Sequence, residues 1–233
     1  MDRFKMEEDV PIESKLISRA IENAQKKVEA HNFDIRKHLL EYDDVLNKQR
    51  EVIYELRRLI LSGENTKALI LDIVREQIEG LVNNSLTEDN HNKWDLKGLL
   101  EGLRFLFDTT FELDETSFEG FSTASDLTEE LNKRASTLYD KREAIMGSPI
   151  IRQLEHVVYL GSIDHHWKEH LLNMDHLKEG VGLRGYGQKD PLVEYKKEGF
   201  NLFKEMDEIV KTDVISKIFR VQVTKEEEVK ELE

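Results

Sequence analysis

Three imidazoles crowd together at His165, His166 and His170, with carboxylates at Asp164 and Glu169 among them. Imidazole plus carboxylate is a transition-metal donor set, and His166 and His170, four apart, share one helical face. The order His-Glu-x-x-His and a distant third ligand are both missing, and imidazoles beside a buried Trp167 belong more often to a hydrogen-bonded helical interface. No metal ligand is assigned on this pattern. Asp43 and Asp44 offer a second carboxylate pair, but adjacent helical residues point about 100° apart and cannot share a proton or a substrate. Capping, salt bridging or docking is expected of them instead. Gly182-x-x-Gly185-x-Gly187 reverses the glycine order of a nucleotide loop and lies between two helices, not between a strand and a helix. With no Walker lysine motif, and no serine or cysteine nucleophile in a recognisable setting, no catalytic or cofactor-binding residue is assigned and the chain is read as non-enzymatic.

The segment Leu183-Arg184-Gly185-Tyr186-Gly187-Gln188-Lys189-Asp190-Pro191 offers binding chemistry of another kind. Its glycines permit a tight turn, Asp190 can cap a following helix, and Pro191 suits that helix's first position because its missing donor would be orphaned there. Tyr186, between the glycines, is a bulky amphipathic side chain at a turn, fitted either to contact a ligand or to rest on a neighbouring helix. Arg184, Lys189, Lys196 and Lys197 outnumber Asp190 and Glu194, so one locally positive end belongs to an acidic molecule. Such an end suits an anionic lipid surface or an acidic protein cavity, and equally an ordinary pair of helix-end charges.

The elements that must position these residues are helical. The 233 residues include 3 prolines, 12 glycines and no cysteine, with 35% charged side chains, a composition that fits long helices better than turn-rich β structure. An all-α fold is expected. The lack of cysteine removes disulfides and thiolate metal sites, and the net charge of −14 argues against nucleic-acid partners. No apolar run approaches the roughly 20 residues that span a bilayer and Met1-Asp2-Arg3-Phe4 does not open a signal peptide, so a soluble chain is expected.

From Glu13 to about Leu61 the apolar positions Ile17, Ile21, Ala24, Val28 and Ile35 predict a buried helical stripe. Its phase jumps by four at Leu39 and continues through Tyr42, Leu46, Ile53, Leu56 and Ile60, with His31 and Gln49 as polar interruptions. With no proline or glycine from Glu13 through Ser62, one rod of roughly 70 Å is expected. Residues 63–147 predict a small inserted helical lobe: a helix over Lys67–Val82, a loop over Asn83–Asn92, a helix over Leu96–Phe107, and an irregular stretch pinned by Phe111, Phe118 and Phe121. A last helix, opened by Asp126 and Glu129 at capping-box spacing, runs to Met146. Beyond Gly147, with Ser148 as cap, the stripe Leu160, Ile163, Trp167, Leu171, Met174, Leu177, Val181 leads to the glycine-rich turn. Leu192, Tyr195, Phe203, Met206, Val210, Val214 and Ile218 return from it, predicting an antiparallel hairpin.

Asn32-Phe33-Asp34-Ile35-Arg36-Lys37-His38-Leu39-Leu40-Glu41-Tyr42-Asp43-Asp44-Val45, together with Trp167-Lys168-Glu169-His170 and the turn segment, closely resembles the C-terminal portion of the bacterial SecA preprotein translocase ATPase family, over nearly the whole chain. The resemblance implies a helical scaffold at 13–62 and 148–222 and a helical wing at 63–147. It implies a remnant of the preceding motor domain at 1–12 and the start of a C-terminal linker at 223–233. The hairpin would be the two-helix finger, its tip at about 182–190 inserted at the mouth of the SecY channel. Tyr186 would contact the unfolded preprotein, and Arg184, Gly185, Gly187, Gln188 and Lys189 would dock the tip. The scaffold would pack against the nucleotide-binding domains in cis and restrain their ATPase, with Asp34, Arg36, Tyr42, Asp43, Asp44, Trp167 and His170 as packing candidates. ATP and magnesium would belong to those motor domains and zinc to a cysteine-rich tail, all outside these residues, so no cofactor is expected here. A cytoplasmic protein, peripheral at the inner membrane, is implied. A purely structural or regulatory module, or a homodimerising coiled coil, is the alternative.

Overall fold

Forty-eight residues uninterrupted by proline or glycine form one helix, α1 (Lys15–Ser62), about 72 Å long at about 1.5 Å per residue. The phase jump at Leu39 leaves it unbroken. In this computed structural model residues 15–86, 94–108, 111, 118, 121, 123–184 and 190–221 are described, without the side chains of residues 183 and 184. After α1 come α2 (Thr66–Ser85), α3 (Leu96–Phe107), α4 (Ala124–Met146), α5 (Ser148–Arg184) and α6 (Pro191–Arg220), with no strand among the described residues. The fold is all-α, as the composition predicts. No described helix is long and apolar enough to cross a membrane.

Local chemistry sets the helix ends. Asp190 accepts from the backbone N–H groups of Leu192 and Val193, and Pro191 opens α6. Asp95 caps α3 through Gly98 N–H. At α4 the cap is Thr123, three residues before the expected position. Its hydroxyl oxygen accepts from Asp126 N–H at 3.1 Å and its O–H donates to the Asp126 carboxylate at 2.7 Å, so Asp126 sits in the first turn as the partner of the cap instead of being the cap. Ser148 does not cap α5; its hydroxyl lies 3.1 Å from Glu143, which accepts it. Gly147, at φ +84°, ends one helix by donating to Glu143 O, and its own carbonyl accepts from Ile151 N at the start of the next. Few other residues tolerate that backbone. The expected loop over Asn83–Asn92 begins later, since α2 continues to Ser85; residues 87–93 lie outside the description.

α5 and α6 pair along their lengths, and their partners run in opposite order: Ser162 with Asp213, Trp167 with Phe203, Met174 with Gly199. That order makes an antiparallel hairpin. α1 also runs antiparallel to α5, with Asp43 against Lys178, Gln49 against His170 and Arg57 against Asp164. The middle helices α2–α4 bury Ile70, Ile78, Leu99, Leu103, Leu127 and Leu131 in a core that continues into Ile53 and Ile60 of α1 and Ile163, Val210, Val214 and Ile218 of the hairpin. A smaller core of Met174, Val181 and Tyr195, backed by Tyr42, Val45 and Leu46, joins the far half of the hairpin to the middle of α1.

The stripe of α1 divides at its middle. Ile53 and Ile60 are buried and Leu46 and Leu56 half-buried, but every residue from Lys15 to Leu40 is exposed, including Ile17, Ile21, Val28 and Ile35. The expectation of a buried stripe over residues 17–35 is therefore corrected. The periodicity is real, but no other described helix of this chain reaches that end of the rod.

Candidate functional site

The three scaffold helices meet at Gly199. An added Cβ there would stand 2.7 Å from Met174 Cε and 3.7 Å from Val45, so a side chain at this position would make the Met174 thioether move aside. Gln49 fills the crossing from α1. Its amide N–H donates to the Gly199 carbonyl at 2.9 Å, and its Oε1 lies 2.9 Å from His170 Nε2. The donation to Gly199 fixes the amide orientation, which in turn requires His170 to carry its proton on Nε2. One side chain thereby joins three helices.

His170 is 2% exposed. Burial disfavours its imidazolium and pulls its pKa down to about 4. Its ring stacks on Trp167 at 5.4 Å and meets Phe203 edge-on at 5.6 Å, which holds the donor in place. Beside this crossing Tyr42 packs against Tyr195 with centroids 4.9 Å apart, and Lys178 pairs with Asp43 at 3.4 Å while lying over the Tyr42 ring. Burial first, then Asp175 and Asp43, pushes the Tyr195 hydroxyl up to about 12.

A second polar junction ties the middle helices to the hairpin. Glu155, 1% exposed on α5, accepts from Arg152 at 2.6 and 2.7 Å and from the buried Tyr139 hydroxyl of α4. Arg152 also reaches Glu143, which pairs with Lys67 of α2. On the other side, Lys211 of α6 pairs with Glu76 of α2 at 2.7 Å. The polar links thus run from α2 through α4 to α5 and from α2 to α6.

Among the residues singled out in the sequence, the structure brings Trp167 and His170 together and sets Tyr42 against Tyr195, all spent on contacts inside the chain. Asp43 and Asp44 are exposed and form salt bridges, the latter with Lys48 at 2.9 Å. Asp34 and Arg36 lie on the bare half of α1. There Arg36 lines, with Phe33, Leu40, Asp44 and Lys196, an open groove of about 750 Å³. Gly185, Tyr186, Gly187, Gln188 and Lys189 and the Arg184 side chain lie outside the described residues, as do 1–12 and 223–233. His166 and His170 do not converge on an ion, because His170 is turned into α1. Gln49 is the functional residue that spacing alone passes over. Its signal was a lone amide at an apolar stripe position, where burial obliges it to find a partner.

Among the described residues the geometry is that of a rod clamped to a hairpin, with an exposed half that carries an apolar stripe extending beyond the clamp. Residues 11–222 match the model of the SecA Wing and Scaffold domain. The chain is 49% identical over its full length to the protein translocase subunit SecA of Syntrophus aciditrophicus (strain SB), covering 28% of that protein. It is 48% identical to the subunit of Syntrophobacter fumaroxidans, again over its full length and 28% of the relative. Over 96% of the chain it is 48% identical to that of Pelotomaculum thermopropionicum, covering 25% of it. The chain thus spans about a quarter of the length of the curated relatives it matches, and it belongs to the SecA wing and scaffold domain family.

Proposed function

We propose that this chain is the non-catalytic coupling part of a protein-translocation motor. In this reading α1 receives motion from nucleotide-binding domains, and the α5–α6 hairpin delivers it as a two-helix finger to a polypeptide at the cytoplasmic mouth of the SecY channel. The observation that carries it is the division of α1. One half is locked to the hairpin by Gln49, His170 and Gly199, and the other presents Ile17, Ile21, Val28 and Ile35 to solvent. A lever needs one end fixed to what it moves and one end free for what drives it. Protein translocase subunits at close to half identity over the whole chain support the reading. ATP and magnesium are assigned to the motor domains, and no catalytic residue to this chain.

Tyr186 is the residue proposed to touch the polypeptide, since a ring face meets apolar side chains and a hydroxyl meets backbone groups whatever the sequence. A photocrosslinker at position 186 of the full-length protein should label a stalled preprotein, and Tyr186→Ala should lower translocation while basal ATP hydrolysis persists. Label confined to the protein itself, with translocation unimpaired in the variant, overturns the finger. The exposed stripe also favours a restraining role, in which motor domains seated on α1 hydrolyse ATP more slowly.

A further inference from the structure

While His170 is engaged by Gln49 of α1, its neighbours His165 and His166 lie against Glu169. Glu169 sits between them, with Oε1 3.7 Å from His165 Nε2 and Oε2 3.3 Å from His166 Nδ1. One ligand atom from each of the three residues lies within 4.8 Å of the others. Around tetrahedral zinc, with bonds of about 2.0–2.2 Å to imidazole nitrogen and carboxylate oxygen, neighbouring ligand atoms stand about 3.3–3.5 Å apart. The two contacts run to different oxygens of Glu169, so the site closes to those lengths by turning the exposed Glu169 carboxylate and the exposed His165 ring.

The other face of His166 supplies an independent feature. Its Nε2 lies 3.6 Å from Asp213 Oδ2 on α6, and Asp213 is itself held by the Ser162 hydroxyl at 2.6 Å and Lys217 at 2.5 Å. In the metal-free chain His166 Nδ1–H donates to Glu169 at 3.3 Å; an incoming cation takes the place of that proton, which moves to Nε2, where the Asp213 carboxylate 3.6 Å away can orient it as carboxylates orient metal-binding histidines. The Lys217 ammonium is held by Asp213 at 2.5 Å and reaches Ser162 at 3.5 Å.

We propose that His165, His166 and Glu169 form a surface site for a divalent transition-metal ion of the zinc type, with Asp213 positioning His166 from the neighbouring helix. Two imidazoles and one carboxylate favour zinc over magnesium or calcium, which prefer all-oxygen shells, and water completes the coordination. With no thiolate, binding is of micromolar order. An ion here would draw α5 toward α6 through the His166–Asp213 contact.

The test is calorimetric titration of the metal-stripped full chain with Zn²⁺, with Co²⁺ as spectroscopic probe. The expected result is one Zn²⁺ bound with Kd of about 1–10 μM, undisturbed by millimolar Mg²⁺. His165→Ala, His166→Ala and Glu169→Gln should each weaken it at least about tenfold, and Asp213→Asn should weaken it by a similar factor while leaving a site. His38→Ala and His176→Ala should bind as the parent does. The proposal is overturned if no saturable Zn²⁺ uptake occurs below about 1 mM, or if the His165→Ala/His166→Ala chain, folded by circular dichroism, binds with parental affinity.

Discussion

Replacing Gln49 by leucine keeps most of the volume at the three-helix crossing and removes both of its hydrogen bonds. The Gly199 carbonyl lies inside α6, where the helix ladder still engages it. His170 has no such recourse. Its Nε2–H, on a ring 2% exposed, loses the acceptor 2.9 Å away. Leaving a buried donor unpaired costs about 1–3 kcal/mol, offset in part by the added apolar contact of leucine with the surrounding core. The expected loss is about 2 kcal/mol, or a fall in Tm of roughly 4–8 °C for a chain of this length. Urea unfolding followed by far-UV circular dichroism should report the same loss at an unchanged m-value. Gln49→Leu/His170→Leu should cost less than the two single changes together by at least about 1 kcal/mol, because the second change removes the orphan that the first creates. A Gln49→Leu chain within about 0.5 kcal/mol of the parent, or strictly additive single changes, would refute the idea that this amide joins the rod to the hairpin.

His170 also makes stability depend on pH. Burial lowers its pKa from 6.5 to about 4, so between those values the unfolded chain takes up a proton that the folded one refuses. Stability from this group is full above about pH 6.5 and is lost as pH falls toward 4, by at most about 3 kcal/mol. Glu169, Glu205 and His166 line the same small cleft, so the contribution of His170 is the part of the Tm change between neutral and acid pH that His170→Phe abolishes. At the second junction, Arg152→Ala strips the cation from Glu155, a carboxylate 1% exposed, and should cost about 3 kcal/mol. Glu155→Gln on that background should recover part of the loss, and an Arg152→Ala chain as stable as the parent would show that water reaches Glu155.

Where a local interaction decides, the sequence was legible. α3 occupies the predicted span Leu96–Phe107, and Asp190 and Pro191 open α6 by capping chemistry contained in two adjacent residues. Periodicity likewise identified the facing stripes of α5 and α6. What it could not identify was the partner of each stripe. Ile17 and Ile53 stand in similar patterns on one helix, yet one is exposed and the other buried, because burial depends on which elements extend alongside. The four-residue spacing of His166 and His170 places them on one face, and they do line one cleft, but each ring nitrogen is engaged by a different partner, Gln49 of α1 for His170 and Glu169 for His166. Thr123 and Asp126 are both good capping types three residues apart, and spacing alone does not choose between them; the backbone does, with Thr123 extended and Asp126 already inside the helix.

The lever reading rests on the bare half of α1, and the most direct measurement is reconstitution with separately prepared motor domains while their ATP hydrolysis is followed. The parent chain should bind them and lower hydrolysis to a plateau as its concentration rises. Ile17→Asp/Ile21→Asp/Val28→Asp, at positions exposed in the free chain, should change that chain's own stability by no more than about 1 kcal/mol and abolish the restraint. Hydrolysis that ignores the parent chain, or that is restrained equally by the triple variant, would contradict the account.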